Sequence, residues 1–189
     1  MGKIVISMNV TLDGVVQDPT GDDGFERGGW FPQVGEEDRK QWAELELEEA
    51  LRAEALLLGR GSDEWFAARW LPRTGEWADR LNSMPKYVVS SSPREPRWGN
   101  ATVLRGEVVA EAARLRRELA GEIVVYASAR LTQTLLEHDL VDELRLIVFP
   151  VVLGAGERLF GGTSAARPLR LAGTRTLGDD LVVLTYRRR

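Results

Sequence analysis

The amino-acid sequence contains no cysteine and a single histidine, His138, among its 189 residues. Without cysteine the chain cannot form disulfides, thiolate nucleophiles, iron–sulfur clusters or cysteine zinc sites. A single histidine also argues against a histidine-based metal centre and against a Ser-His-Asp triad. His138 follows a predicted helix, whose dipole favours a cation there, so we interpret it as structural. The sequence therefore predicts no metal site.

An excess of basic residues is also missing. The chain has 25 Lys and Arg against 29 Asp and Glu, which gives a formal net charge of −4. A general nucleic-acid binder needs a broad excess of Lys and Arg to displace counterions from the phosphates. We therefore expect no nucleic-acid partner.

Long hydrophobic runs are absent as well. The longest apolar stretch, 146–156, contains Pro150 and two glycines and is far shorter than the roughly 20 residues that cross a bilayer. The N-terminal segment lacks the charged start, apolar core and small-residue cleavage site of a signal peptide. We therefore expect no membrane partner and predict a cytoplasmic location.

Short runs rich in leucine and β-branched residues predict buried strands at 4–10, 55–58, 87–89, 123–126 and 144–149. Segments with helical periodicity lie between several of them. Their apolar residues are Ala43, Leu47, Ala50 and Leu51 in one segment, and Val108, Ala112, Leu115 and Leu119 in another. A further helix is predicted to begin at Ser128, to carry Leu131 and Leu135 inward and to end near His138.

Strands that alternate with helices predict a largely parallel sheet with helices on its faces. The last part of the chain differs, because residues 177–180 leave no room for a crossover helix between predicted strands 169–176 and 181–186. The sequence thus predicts an α/β fold with a mixed, mostly parallel central sheet, flanking helices and a C-terminal antiparallel hairpin. The chain length fits one domain, 1–189.

The loop 18–35 contains five glycines and two prolines, with Trp30 beside Phe31. A loop of this length in a compact domain is usually functional or disordered. Solvated charge explains its acidic residues, but two adjacent aromatic side chains need apolar cover. We predict an active-site flap that carries Trp30 and Phe31.

Small and polar residues follow three predicted strands, at the sheet edge where α/β proteins bind ligands. Gly59, Arg60 and Ser62 follow the second strand, where they form either a phosphate cradle or an ordinary strand-to-helix turn, and Ser62 can cap the helix that follows. Ser90 and Ser91 follow the third strand, as a polar turn or as ligand donors. Ala127, Ser128 and Ala129 follow the fourth, where an anion could lie at a helix N-terminus. None of the three carries GxGxxG or GxxxxGK[ST], so a standard Rossmann fingerprint or P-loop is not supported.

Asp13 follows the first strand and precedes Gly14. An Asp-Gly pair is commonly a turn. The alternative is a catalytic carboxylate that faces the substrate and relays a proton.

Four segments carry a resemblance to a known family: 7–15 (SMNVTLDGV), 57–62 (LLGRGS), 84–90 (MPKYVVS) and 125–160, the last including LTQTLL and PVVLGAG. The chain resembles the dihydrofolate reductase-like superfamily. Within it, the chain is similar to the reductase domain of the bifunctional riboflavin-biosynthesis deaminase-reductase, in a stand-alone form. The order and spacing of these segments extend over nearly the whole chain.

The resemblance implies a dihydrofolate reductase-like fold and an NADPH-dependent reductase, often a homodimer, acting on a small pteridine-like or pyrimidine ribosylamine-like molecule. It implies that Asp13 faces the substrate or the nicotinamide and that Trp30 and Phe31 close over the ring. It places the cofactor phosphates on Gly59, Arg60 and Ser62, the 2′-phosphate near Ser90 and Ser91, and the pyrophosphate on Ala127, Ser128 and Ala129.

Two departures from the resembled family favour an alternative function, a nucleotide-binding or heterocycle-binding protein without turnover. Ala127 stands where relatives usually have glycine, and its methyl group could crowd the pyrophosphate. Asp63 and Glu64 add negative charge beside the proposed anion site. From sequence we also expect Ala127→Gly to tighten NADPH binding and to lower thermal stability slightly, because glycine is freer in the unfolded chain.

Overall fold

The computed structural model of the protein describes residues 1–92, 94–161 and 163–189. These residues form one eight-stranded sheet in the order β4-β3-β2-β5-β1-β6-β8-β7. The strands are β1 Lys3–Thr11, β2 Ala53–Gly59, β3 Lys86–Val89, β4 Ala101–Leu104, β5 Glu122–Tyr126, β6 Glu143–Phe149, β7 Leu169–Leu177 and β8 Leu181–Arg188. All pairings from β4 across to β6 are parallel, and β8 pairs antiparallel with both β6 and β7. The predicted mixed sheet with its C-terminal hairpin is confirmed.

Helices cover both faces of the sheet. They are α1 Glu36–Arg52, α2 Arg60–Trp70, α3 Glu76–Ser83, α4 Val108–Glu118 and α5 Ala129–Glu137, and a short 3₁₀ turn spans Phe31–Gln33. Alternate residues of β1 face opposite layers, with Ile4 and Ile6 packed toward α4 and α5 and Val5 toward α2 and α3. Burial on both faces explains why the central strands read as continuous apolar runs.

The predicted apolar face of α1 is wrong in part. Ala50 is fully buried as expected, but Leu51 is about half exposed. Glu46 and Glu49 are buried instead. Glutamates on a helix usually face solvent, but these two point inward because Arg145 on β6 and a cleft lie opposite this helix. This inversion buries two carboxyl groups on α1.

The tight turn of the β7–β8 hairpin is held by α1. The Asp38 carboxylate accepts hydrogen bonds from the backbone N–H groups of Gly35, Asp179 and Asp180 at 2.9, 2.8 and 3.0 Å. These bonds lower the pKa of Asp38, the bond from Asp180 most of all. The same carboxylate caps the helix and anchors the hairpin.

Among the described residues, no helix combines the length and the apolar character that crossing a membrane requires.

Candidate functional site

A cleft of about 740 Å³ lies beside the central strands. The middle of β1 contributes Ser7, Met8 and Asn9 to its lining, and the end of β5 contributes Tyr126. The first turns of α2 and α5 border it as well. Because β1, β2 and β5 are parallel neighbours, the loops after β2 and β5 leave the sheet at one edge. The cleft therefore has the position at which α/β sheets bind ligands.

Aromatic rings form most of one wall of the cleft. Five of the six tryptophans line it, namely Trp42, Trp65, Trp70, Trp77 and Trp98, together with Phe31 and Phe66. The rings contact one another in series, with centroid distances of 4.7 Å between Phe31 and Trp42, 5.8 Å between Trp42 and Trp77, and 4.7 Å between Trp70 and Trp77. A wall of this kind suits a flat aromatic ligand. Sequence reasoning singled out only Trp30 and Phe31, although six tryptophans in this length were a signal.

The residues predicted to hold the pyrophosphate adopt an uncommon backbone conformation. Ala127 and Ser128 both lie in the left-handed region, with φ of 48° and 53°. Ser128 occupies the N-cap position of α5, as predicted, but its side chain makes no capping hydrogen bond. Its hydroxyl instead accepts a hydrogen bond from the Gly59 N–H at 3.0 Å and donates one to Ser62 Oγ at 2.7 Å. This pair of bonds ties the two helix N-termini together.

The predicted capping role of Ser62 is wrong. Helix α2 begins at Arg60, so Gly59 is its N-cap and Ser62 lies inside the first turn. The Ser62 hydroxyl accepts from Ser128 rather than binding a backbone N–H group of its own helix. The helix therefore begins earlier than the spacing suggested.

A second pocket, of about 380 Å³, opens where β3 ends. Arg60, Ser90, Ser91, Ser92 and Arg105 line it. The Arg60 guanidinium donates to Glu64 at 2.9 Å and lies 3.4 Å from Ser90 Oγ. Two arginines and three hydroxyls give this pocket the donor set of a phosphate site.

The two acidic residues after Ser62, which the sequence suggested add negative charge beside the anion site, both have partners within the protein. Asp63 is buried and accepts from the backbone N–H groups of Arg97 and Trp98 at 2.7 and 3.2 Å. Glu64 pairs with Arg60. One carboxylate thus orders a loop and the other orients a guanidinium.

The loop 18–35 is organised around a buried aspartate. Asp18 accepts from the N–H groups of Asp23 and Phe25 at 3.2 and 3.1 Å. Trp30 is 1% exposed, packs edge-on against Phe149 at 5.1 Å, and donates from Nε1 to the Gln17 carbonyl. Phe31 reaches the cleft. Trp30 therefore anchors the loop to the sheet, and Phe31 borders the cleft.

Asp13 lies away from the cleft lining. Its carboxylate accepts hydrogen bonds from Thr11 Oγ1 at 2.7 Å and from the N–H groups of Leu153 and Gly154 at 3.2 and 2.8 Å. These bonds, the one from Thr11 first, lower the pKa of Asp13 to about 2. The geometry ties the end of β1 to the loop after β6. A catalytic role for Asp13 stays a prediction.

Glu46 is a cleft residue that sequence reasoning missed. It lines the cleft from α1 and is 9% exposed. Burial raises the pKa of Glu46, the Glu49 carboxylate raises it further, and Arg145 acts in the opposite direction. The hydroxyl of neighbouring Tyr126 is buried and has no hydrogen-bond partner in the described part of the chain. Trp42 four residues earlier, on the same helical face, was the available signal.

The structure thus separates the predicted site residues into groups. Phe31, Ser62, Ala127, Ser128 and Ala129 line the cleft. Arg60, Ser90 and Ser91 line the second pocket. Gly59 lies between them through its bond to Ser128. Asp13 and Trp30 line neither.

Comparison with known proteins decides the family. Residues 2–183 match the RibD C-terminal domain family. The chain belongs to this family. The uncharacterized protein YyaP of Bacillus subtilis (strain 168) is 27% identical over 195 residues, which cover 97% of this chain and 94% of YyaP.

Solved structures agree on the fold. A putative riboflavin biosynthesis protein from Shewanella sp. PV-4 superposes with a TM-score of 0.77 at 22% identity, over 99% of both chains. A dihydrofolate reductase from Enterococcus faecalis, complexed with NADP(H), gives a TM-score of 0.59 at 15% identity, over 99% of this chain and 96% of that one. The predicted dihydrofolate reductase-like fold is confirmed. RibD C-terminal domain membership together with this fold supports a reductase-type function.

Proposed function

We propose that the protein is an NADPH-dependent reductase that transfers hydride to a planar nitrogen heterocycle. The observation that carries this proposal is the joining of three features at one sheet edge. An aromatic cleft, two helix N-termini linked through Ser62 and Ser128, and an arginine-containing pocket lie next to one another. A dinucleotide needs phosphate donors next to a slot for a flat ring, and this arrangement offers both.

The residues present fit the cofactor. Arg60, Ser90 and Arg105 in the second pocket would hold the 2′-phosphate, which distinguishes NADPH from NADH. The linked turns at Gly59 and Ser128 would hold the pyrophosphate. At Gly61 an added Cβ would meet no atom within 4 Å, so the backbone there is open to a ligand. NADP(H) in the Enterococcus faecalis enzyme, which shares the fold, supports this assignment.

When bound, the cofactor would supply the hydride. The protein orients the acceptor and excludes water, for which the aromatic wall and Phe31 are suited. Asp13 would act indirectly, by holding the loop at Leu153 and Gly154 through its carboxylate. Our predictions of a homodimer and of a cytoplasmic location accompany this proposal.

The experiment that tests the proposal is a titration with NADPH and, separately, with NADH. Binding is monitored by energy transfer from excited tryptophan residues to the nicotinamide. We expect NADPH to bind more tightly than NADH. Arg60→Ala should weaken NADPH binding by about 1 to 3 kcal/mol through loss of a charge-assisted contact, and the loss should shrink at high salt. Arg52→Ala, an exposed arginine at the end of α1, is the matched control. Equal affinity of the Arg60→Ala and control variants at low ionic strength would contradict the assignment.

The alternative function is binding without turnover, and the Ala127 methyl group at the cleft is the observation that favours it. NADPH oxidation in the presence of pteridine and pyrimidine acceptors distinguishes the two. Oxidation that depends on the acceptor supports the reductase. Tight NADPH binding without oxidation by any member of the panel supports the binding protein.

A further inference from the structure

The face of β1 that borders the cleft changes from apolar to polar along the strand. The opposite face is apolar and consists of buried Ile4, Ile6, Met8 and Val10. On the cleft side, Val5 is followed by Ser7 and then by Asn9, which both line the cleft. A polar side chain in a central strand is costly to bury unless it has a partner. Ser7 and Asn9 therefore lie where a ligand would complete their hydrogen bonding.

The carboxamide of Asn9 is engaged by the protein at one end only. Its Oδ1 accepts a hydrogen bond from Trp42 Nε1 at 3.0 Å. An indole N–H is a donor only, so the atom that faces it must be the carbonyl oxygen and not the amino group. The Nδ2 amino group makes no hydrogen bond in the described part of the chain and is not fully enclosed by protein. Because Asn9 lines the cleft, its N–H donors are available to a ligand there.

The indole of Trp42 is held in place by other aromatic rings. It packs edge-on against Phe31 at a centroid distance of 4.7 Å and lies 5.8 Å from Trp77. Turning the Asn9 carboxamide over would place its amino group against the indole N–H, and two donors would then face each other without an acceptor. Trp42 therefore fixes which end of the carboxamide is presented to a ligand.

Ser7 is the second polar group on this face of β1. It is 5% exposed and pairs in register with Tyr126 of β5. Its hydroxyl has no hydrogen-bond partner within residues 1–92, 94–161 and 163–189. A hydroxyl rotates to donate or to accept, whereas the amino group of Asn9 only donates. Ser7 thus tolerates either kind of ligand group, and Asn9 discriminates between them.

We propose that Asn9, oriented by Trp42, determines ligand specificity by donating a hydrogen bond to a ring carbonyl oxygen of a planar heterocycle in the cleft. A carbonyl oxygen accepts this bond, whereas an amino substituent in its place would bring donor against donor. A site rejects an analogue strongly when the mismatch leaves its polar groups unpaired. This inference rests on the proposed function in one respect, that the same cleft receives the heterocycle.

Two pteridines serve as probes. Lumazine has two ring carbonyl groups, and 2,4-diaminopteridine has amino groups in their place. Their affinities are measured at neutral pH, where both are mainly uncharged, by quenching of tryptophan fluorescence. The informative quantity is the ratio of the lumazine affinity to the 2,4-diaminopteridine affinity, because changes that affect both ligands alike cancel in this ratio.

The first variant reverses the hydrogen-bonding character of Asn9. Asn9→Asp keeps the shape of the side chain and an oxygen that faces Trp42, but it replaces the amino group by an acceptor. We expect the affinity ratio to fall about tenfold or more, the equivalent of one to two hydrogen bonds. Asn100→Asp makes the same change at an exposed residue before β4 and should leave the ratio unchanged. Thermal unfolding of each variant verifies that it is folded.

Two further variants separate the orientation of Asn9 from the packing of the wall. Trp42→Phe keeps an aromatic ring but removes the donor, so the Asn9 carboxamide can turn over and present either end. The affinity ratio should then fall several-fold. Trp77→Phe is the matched control, because Trp77 belongs to the same wall but does not donate to Asn9. It should change both affinities by the same factor.

Three results would overturn the inference: an unchanged ratio in Asn9→Asp, equal shifts of the ratio in Trp42→Phe and Trp77→Phe, or no binding of lumazine to the unmodified protein. NADPH titration of the same proteins is a separate measurement. If NADPH does not bind but the ratio depends on Asn9, the reductase proposal fails and this inference stands. If NADPH is bound and oxidised while Asn9→Asp leaves the ratio unchanged, this inference fails alone.

Discussion

Replacing Ala127 with glycine should make the protein more stable, which is the opposite of what the sequence led us to expect. The expectation from sequence took account only of the unfolded chain, where glycine has more freedom and costs about 0.4 to 1 kcal/mol. The structure adds a larger contribution of opposite sign. Ala127 has a φ of 48°, and a residue with a Cβ in this left-handed region is strained by roughly 1 to 2 kcal/mol.

The two contributions oppose each other, and the relief of strain is the larger. Glycine at position 127 removes the strain, so a net gain of about 0.5 to 1 kcal/mol in the free energy of unfolding is expected. For a chain of this size that gain corresponds to a rise in Tm of roughly 1 to 4 °C. The same change removes a methyl group from the cleft lining. NADPH should then bind about 0.5 to 1.5 kcal/mol more tightly, because the backbone N–H groups come closer to the pyrophosphate.

Urea and thermal unfolding with and without NADPH measure both effects. Ala113→Gly, inside α4, is the matched control, since helical backbone there gives no relief and the change should cost about 1 kcal/mol. If Ala127→Gly destabilises the protein as much as Ala113→Gly does, the left-handed conformation is not strained and the reasoning fails. If its stability rises but NADPH binding weakens, the pyrophosphate lies elsewhere.

Three further predictions concern polar side chains that make several hydrogen bonds to the backbone. Asp13→Asn should loosen the loop after β6. The stability that ionised Asp13 provides is present above its unfolded pKa near 4 and is lost as the pH falls toward its folded pKa of about 2. The difference in free energy of unfolding between the unmodified protein and Asp13→Asn should therefore shrink over that pH range. A difference that stays constant would refute this prediction. Asp38→Ala leaves three backbone N–H groups without an acceptor and should cost roughly 2 to 4 kcal/mol in urea unfolding; a loss below about 0.5 kcal/mol would mean that water replaces the carboxylate. Lys86→Met removes the donor to three carbonyl oxygens and should cost about 2 to 4 kcal/mol, while Lys40→Met on the exposed face of α1 should cost nothing measurable.

Most of the sheet was predictable because its central strands are buried on both faces. The five predicted strands and the hairpin all exist, with ends that differ by at most two residues. Strand β4 was not predicted, since only Leu104 of its four residues is buried and it lies at the sheet edge. Helix α3 was missed as well, although Ala78 and Leu81 form a short apolar stripe. Edge elements carry too few apolar residues for periodicity to identify them.

The proposed phosphate-binding side of the candidate site was easier to predict from the sequence than the proposed ring-binding side. Residues that directly follow a parallel strand lie at one edge by topology alone, so Arg60, Ser90 and Ser128 could be grouped from the sequence. The hydrogen-bond partners of these residues could not be predicted from the sequence. The hydrogen bond between Ser62 and Ser128 joins residues 66 positions apart. It depends on the left-handed backbone at 127 and 128, which alanine and serine at these positions do not indicate.

Glu46 shows where pattern reasoning stops. Helical periodicity assigns glutamates to the solvent face, and α1 contains enough of them that the face holding Trp42, Glu46 and Glu49 looks ordinary. What makes that face buried is Arg145, which is 96 residues after Glu49 and contacts it only because β6 pairs in parallel with β1. That same arginine is saturated by three carboxylates, which leaves Glu46 without a counterion. The balance of charge beside the cleft thus depends on side chains from α1, β5 and β6. These side chains come together only when the strands are in register.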